Sequence, residues 1–220
     1  MVASRDAKPL GAQAERLGMG GGAQQRPEPA LVVAAAYAAA GGLAGLISLL
    51  LGRNPVACDG WLGARGLSSV LLSVGLGLPL GSATIAITRV VVQRSRWAHA
   101  LHAALRPTVS GTGDAALFAV AAASSAGEEL LFRGLLVPII GVVASSLVFG
   151  GLHQVRGRAR WGWMGWATVM GLLFGTLFAA TGSLAGPLVA HAAINHSNLR
   201  FLRDNDPHGR PRALGGLLRR

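Results

Sequence analysis

Four stretches of this chain run without a charged residue for lengths that match a lipid bilayer. They are Leu31 to Leu51 (LVVAAAYAAAGGLAGLISLLL), Leu67 to Thr88, Gly134 to Leu152 and Trp161 to Leu199. A hydrocarbon core takes about 20 apolar residues per helix, so each of the first three can span and the fourth can span twice. An apolar fraction of 51% with only 13% charged residues is unusual for a soluble globule. The expected fold is all-α and polytopic. Leu31 to Leu51 is too long for a signal peptide and follows a polar arm, so it reads as a retained helix.

Six segments can be drawn, roughly 31–52, 67–88, 115–133, 135–153, 162–181 and 184–199, and the distribution of charge tests that count. The N-terminal arm, the second and fourth connections and the tail hold seventeen of the twenty Lys and Arg residues, against three in the alternate connections. This positive-inside bias predicts six crossings with both termini in the cytoplasm, in the plasma membrane if the cell is prokaryotic. A net charge of +11 would point to nucleic acid in a soluble chain. Here it belongs at a membrane surface, so lipid is the expected partner and nucleic acid is not. A single cysteine, Cys58, excludes an internal disulfide and a four-cysteine metal cluster.

The organisation expected along the chain is a disordered cytoplasmic arm (1–29), two transmembrane helices with their connections (30–113), a core of four helices (114–199) and a basic cytoplasmic tail (200–220). Between Arg89 and Pro107, Val90, Trp97, Leu101 and Leu105 fall near one helical face, as in an interfacial helix; a solvated basic loop is the alternative. Trp161, Trp163 and Trp166 read as interface anchors. Gly41 with Gly45, Gly77 with Gly81, and Gly171 with Gly175 are small-xxx-small pairs that permit close helix packing.

Three ionisable residues interrupt the apolar pattern in SSAGEELLFRG (124–134). A charge at the centre of a membrane helix costs on the order of 2.5 to 3.5 kcal/mol on insertion scales, which makes it a functional hypothesis by default. Glu129 and Arg133 are four apart, on one face, and can pair. Glu128 lies about 100° around the helix and has no local partner. The expected division is a structural pair, Glu129 with Arg133, and a spare carboxylate, Glu128, facing a cavity. Mutual pairing of all three, without chemistry, is the bland alternative.

Further polar residues sit in the later segments. His153 follows Phe149 by one turn, and His191 precedes Asn195 by one turn. A lone His in an apolar helix is usually a packing residue. Two of them, with an amide and a spare carboxylate, can converge on a water molecule. A desolvated glutamate can take a proton from that water and return it to a leaving amine, while imidazole and amide groups stabilise the oxyanion. The imidazoles of His153 and His191 could instead bind zinc, but a catalytic zinc usually has three protein ligands and there is no HExxH. Zinc and a metal-free mechanism both stay open.

At these residues the sequence resembles the CPBP family of intramembrane proteases, which includes CAAX prenyl endopeptidases and proteins associated with bacteriocin processing or immunity. The family pattern EExxxR, FxxxH, HxxxN appears in order as Glu128-Glu129-Leu-Leu-Phe-Arg133, Phe149-Gly-Gly-Leu-His153 and His191-Ala-Ala-Ile-Asn195. The resemblance covers about residues 115 to 198. It implies a membrane-embedded endopeptidase acting on a peptide or membrane protein, with CAAX-type processing among its forms. Glu128 would activate water with help from His153, His191 and Asn195 would shape the water and oxyanion site, and Glu129, Arg133 and Phe149 would support them. The family is often labelled as metalloproteases, although a metal-free glutamate mechanism has been argued for its CAAX-processing members.

One departure from the pattern bears on the fold: only 24 residues separate Glu128 from His153. If the two share a depth, the chain must reverse near 137–141, where Pro138 and Gly141 offer a break, in arms of about 15 to 18 Å. A straight helix from Ala115 would carry Glu128 away from His153. Two other functions compete with proteolysis. One is a non-catalytic scaffold or bacteriocin immunity factor of the same fold. The other is a small proton-coupled carrier, disfavoured because no matched pair of broken-helix repeats is evident.

Overall fold

The structure is a computed structural model and describes residues 29–206; the N-terminal arm and most of the basic tail lie outside the described residues. The helices are α1 (Pro29–Leu50), α2 (Leu67–Arg94), α3 (Arg96–Leu105), α4 (Asp114–Glu129), a π-helical segment (Leu130–Leu136), α5 (Val137–Leu152), α6 (Arg160–Thr181) and α7 (Ala185–Asp204). Among the described residues there is no strand, only an isolated bridge between Ala57 and Ser183. By length and apolarity α1, α2, the continuous run Asp114–Leu152 and α6 are each able to cross a membrane. The chain is an all-α integral membrane protein.

The third of these runs is not a rod. Gly141 adopts φ 81°, ψ 167°, a region essentially closed to residues with a side chain. Across it the rings of Phe132 and Phe149 lie 4.8 Å apart, and the Ser145 hydroxyl donates to the Phe132 carbonyl at 3.0 Å. On a straight helix those phenylalanines would be about 25 Å apart. The chain therefore reverses at Gly141 and gives two of the expected six legs. Pro138 lies one turn before the reversal, within the continuous run from Asp114. α7 supplies the sixth leg. Its polar groups keep it out of the set of helices apolar enough to cross a membrane by length and composition. It also runs to Asp204, past the boundary read from sequence.

Glycine contacts fix the mutual directions of the legs. Gly41 of α1 meets Gly127 of α4, and Ser48 donates to the Gly134 carbonyl at 3.2 Å, so these two run parallel. Gly77 and Gly81 of α2 meet Gly186 and Ala190 of α7, again parallel. Gly171 and Gly175 of α6 meet Ser146 and Val142 of α5, antiparallel. All the expected small-residue pairs thus pack at helix crossings except at Gly45, whose surroundings are open.

Serine hydroxyls satisfy backbone groups that apolar surroundings would leave unpaired. Ser145 and Ser48 cover two carbonyls of the π segment. Ser69 and Ser73 donate to the carbonyls of Thr181 and Ser183 at 2.7 and 2.9 Å, tying α2 to the turn between α6 and α7. The connection after α1 lies over the same turn. Its amides of Trp61, Leu62 and Cys58 donate to Ala179, Ala180 and Gly182, carbonyls that the end of a helix leaves free.

The opposite end of the bundle carries Arg94, Arg96, Arg156, Arg158 and Arg160, all exposed. There α3 lies against the bundle through buried Ala98, Leu101 and His102, so the reading as an apolar-faced helix holds. Val90 does not share that face: it belongs to α2 and is exposed. Trp161 remains exposed, as an anchor would, whereas Trp163 faces His153 and Trp166 packs on the Met170–Phe174 cluster.

Candidate active site

The two carboxylates end α4, immediately before the π segment. A π turn widens the helix and is a frequent feature of functional sites. Here Phe132, Arg133, Gly134 and Leu135, four consecutive residues, are all buried. One wall of the site is therefore closed by neighbouring helices on every side.

Glu129 and Arg133 form the expected pair, with Arg133 Nη1 donating to Glu129 Oε1 at 2.9 Å and both side chains essentially inaccessible. Arg133 Nη2 also donates to the Gly171 carbonyl at 3.3 Å. Its guanidinium lies 4.8 Å from the Phe149 ring centroid and 5.3 Å from that of Phe174, which adds cation–π stabilisation on two sides. Phe149 touches both Phe132 and His153.

Glu129 does more than neutralise the arginine. The same Oε1 accepts from His191 Nδ1 at 2.7 Å. That contact fixes the ring of His191 and turns its other nitrogen, Nε2, toward Glu128, 3.6 Å from Oε2. Phe174 packs against the ring at 5.3 Å between centroids. A buried chain of polar contacts thus runs Arg133–Glu129–His191–Glu128 across α4, the π segment and α7.

Glu128 lines a cavity of about 450 Å³ together with Tyr37, Gly127, Phe132 and His153. His153 closes α5, with Nδ1 2.7 Å from the Phe149 carbonyl. A carbonyl only accepts, so Nδ1 carries the proton and a neutral ring presents Nε2 as an acceptor. His153 and Trp163 also line a neighbouring cavity of about 250 Å³, which reaches His191 and Asn195. Glu128, both histidines, Phe149 and Asn195 line these spaces, and Glu129 and Arg133 lie buried behind them.

Asn195 lies one turn from His191, and its amide donates to Ser124 and Ser125 of α4 at 3.1 and 3.3 Å. Its hydrogens are directed at these serines, so it holds α4 to α7. Two residues of the site have no counterpart in the motifs. Tyr37, on α1, interacts through its hydroxyl with Glu128. It is the one tyrosine of the chain, in a segment otherwise made of Ala, Val, Gly and Leu except for Pro29, Ile47 and Ser48, and that oddity was the available signal. Trp163 faces His153 at 5.4 Å. Among the described residues no three His, Cys, Asp or Glu side chains converge to hold a metal ion. Zinc at His153 and His191 therefore finds no third ligand in the arrangement, and no step is assigned to it.

Over 68 residues the chain is 38% identical to the uncharacterized protein YpbD of Bacillus subtilis (strain 168), covering 31% of this chain and 35% of that protein. The chain thus spans about a third of the length of the curated relative it matches, at 35%. No solved structure matches it. Residues 113–197 match the model of the type II CAAX prenyl endopeptidase Rce1-like proteins. That stretch begins just before α4 and ends within α7, so it encloses both glutamates, Arg133, both histidines and Asn195. Over this segment the chain is similar to the Rce1-like type II CAAX prenyl endopeptidases, a likeness that supports membership of the CPBP family.

Proposed function

We propose that this protein is an intramembrane endopeptidase that cleaves membrane-associated peptides with a glutamate-activated water, near the arginine-rich end of the bundle. The observation that carries the reading is the pair Glu128 Oε2 and His191 Nε2, facing each other at 3.6 Å with His191 held from behind by Glu129. With Nδ1–H given to Glu129, a neutral His191 has an acceptor at Nε2, and ionised Glu128 offers another. Two acceptors at this separation suit one water that donates a hydrogen to each and keeps a lone pair for attack.

In this mechanism the water oxygen bonds to the peptide carbonyl carbon as its proton passes to Glu128. When the tetrahedral intermediate collapses the C–N bond breaks, and Glu128 delivers that proton to the departing nitrogen, leaving a carboxylic acid and an amine. His153 assists: with Nδ1–H held by the Phe149 carbonyl, its Nε2 acceptor helps orient the attacking water. Tyr37 fixes the Glu128 carboxyl from α1, and Asn195 keeps α7 in register with α4.

Proteoliposomes with a reporter peptide test this. Replacement of a general base costs about 10² to 10⁴ in rate, so Glu128→Gln is expected to lose cleavage by that factor. Full cleavage by Glu128→Ala would sink the mechanism. Cleavage unchanged by a zinc chelator is expected, and loss of cleavage restored by added zinc would replace the glutamate mechanism with a metal one. In cells, new C-termini seen only with active Glu128 would identify the substrate.

A further inference from the structure

At the arginine-rich end α2 breaks into α3 at Ser95, whose extended backbone (φ −112°, ψ 125°) closes one helix and opens the other. The Trp97 ring of α3 packs against Gly162 near the start of α6, where a side chain would collide with it. That contact brings the connection between α5 and α6 up to the break. Between them lies a cavity of about 380 Å³ whose polar lining is Gln93, Arg94, Ser95, Arg96, His99 and Arg158. No Asp or Glu lines it. Among the described residues none of its three arginines forms an ion pair, and the aspartates Asp114, Asp204 and Asp206 are engaged by Arg200, Arg203 and Arg106 instead. No side chain caps the first amides of α3, so the helix dipole adds positive potential to the same space. Three like charges drawn from two separate segments repel one another unless an anion joins them.

We infer that this cavity binds the phosphate of an anionic phospholipid. Guanidinium groups grip phosphate through paired hydrogen bonds, and a basic cavity beside apolar membrane helices suits a lipid headgroup. The surface leading to it favours a lipid over a soluble phosphate. Ile87, Val90 and Arg94 stand at i, i+3 and i+7 of α2, on one face, and the two apolar members are 50% and 47% exposed. A headgroup held at Arg94 therefore lays its acyl chains along Val90 and Ile87. The depth agrees, because Arg94 lies six residues past the charge-free stretch that ends at Thr88, about 9 Å along the axis. Trp161, three residues after Arg158, is exposed with the Arg160 guanidinium over its ring at 5.0 Å, an arrangement suited to the headgroup layer.

The test uses the full chain in a neutral detergent, with native mass spectrometry reading the lipid that stays bound from an equimolar mixture of phosphatidylglycerol and phosphatidylcholine. Phosphatidylglycerol is expected to be retained at least about tenfold over phosphatidylcholine, since each basic side chain near a headgroup contributes about fivefold. With Arg94→Gln and Arg158→Gln together, the two lipids should be retained within about twofold of each other. The pair Arg156→Gln and Arg160→Gln removes the same charge at the same end but outside the cavity, and should keep the preference. Arg158→Glu alone covers the case in which the first pair does not fold, and it too should lose the preference. Equal retention by the parent, a preference that survives Arg94→Gln with Arg158→Gln, or an equal loss in the control pair overturns the inference. Displacement of phosphatidylglycerol by an equal concentration of inorganic phosphate would assign the cavity to a soluble phosphate compound, and displacement by a hexaglutamate peptide would assign it to an acidic protein segment. Either result overturns the lipid. Retention is read without turnover, so failure here leaves the proposed peptidase activity untouched.

Discussion

Glu129 accepts from two partners at one oxygen, Arg133 Nη1 and His191 Nδ1, and is wholly buried. Removing one member of a buried ion pair leaves an uncompensated charge, at a cost of about 3 to 5 kcal/mol. Arg133→Met is therefore expected to lower the yield of monodisperse protein sharply, read by size exclusion. Exchanging the two residues, Glu129→Arg with Arg133→Glu, should recover folding lost in either single variant. It should not recover cleavage, because an arginine at 129 would confront His191 with a second donor. Recovery of both would reduce Glu129 to a structural partner. Helical phase was enough to separate Glu128 from the Glu129–Arg133 pair in the sequence. The bond from Glu129 to His191 was not legible there, because the two are 62 positions apart in the chain and only the packing of α7 against α4 joins them. Tyr37 was hidden for the same reason: its role depends on Gly127 letting α1 approach the residue beside Glu128.

Among the elements, the run from Asp114 to Leu152 decides whether there is a site at all. Its reversal at Gly141 sets Phe132 beside Phe149 and lets Glu128 and His153 line one cavity. The short interval between the two motifs, with Pro138 and Gly141 inside it, offered a turn there if Glu128 and His153 shared a depth, with a straight helix as the alternative. The π segment left no such trace, since its wide turn is stabilised by Ser48 and Ser145 from other helices. No space near Gly141 is crowded, so a side chain there is opposed by backbone conformation alone. Gly141→Ala should cost about 1 to 3 kcal/mol in unfolding stability. Because the hinge sets the depth of His153, cleavage should fall by more than the unfolded fraction explains. An alanine variant as stable as the parent would show that the reversal does not need glycine. Gly127→Leu tests the neighbouring contact, since a side chain there meets the Tyr37 backbone and must push α1 from α4. It should abolish cleavage while leaving the His191–Glu129 bond in place.

At the scale of the whole molecule, the parallel and antiparallel helix contacts place the connection after α1 and the turn after α6 at one end, and α3 with Arg156, Arg158 and Arg160 at the other. The excess of arginine at the second end predicts that it faces the cytoplasm. Cys58 makes this testable without background, because it is the chain's one cysteine and lies exposed in the first connection. A membrane-impermeant maleimide applied to intact cells should label Cys58. Arg158→Cys in a Cys58→Ser background should be labelled only after lysis. The reverse pattern would invert the topology and move the proposed chemistry to the outer half of the bilayer. The rate of labelling carries its own prediction. Partial desolvation of the Cys58 thiol and the adjacent Asp59 carboxylate push its pKa up. Maleimide reacts with thiolate, so labelling should be slow at neutral pH and accelerate as pH rises past the ordinary thiol range. Asp59→Asn, which removes the neighbouring charge, should speed labelling at neutral pH, and no change would leave desolvation as the whole cause.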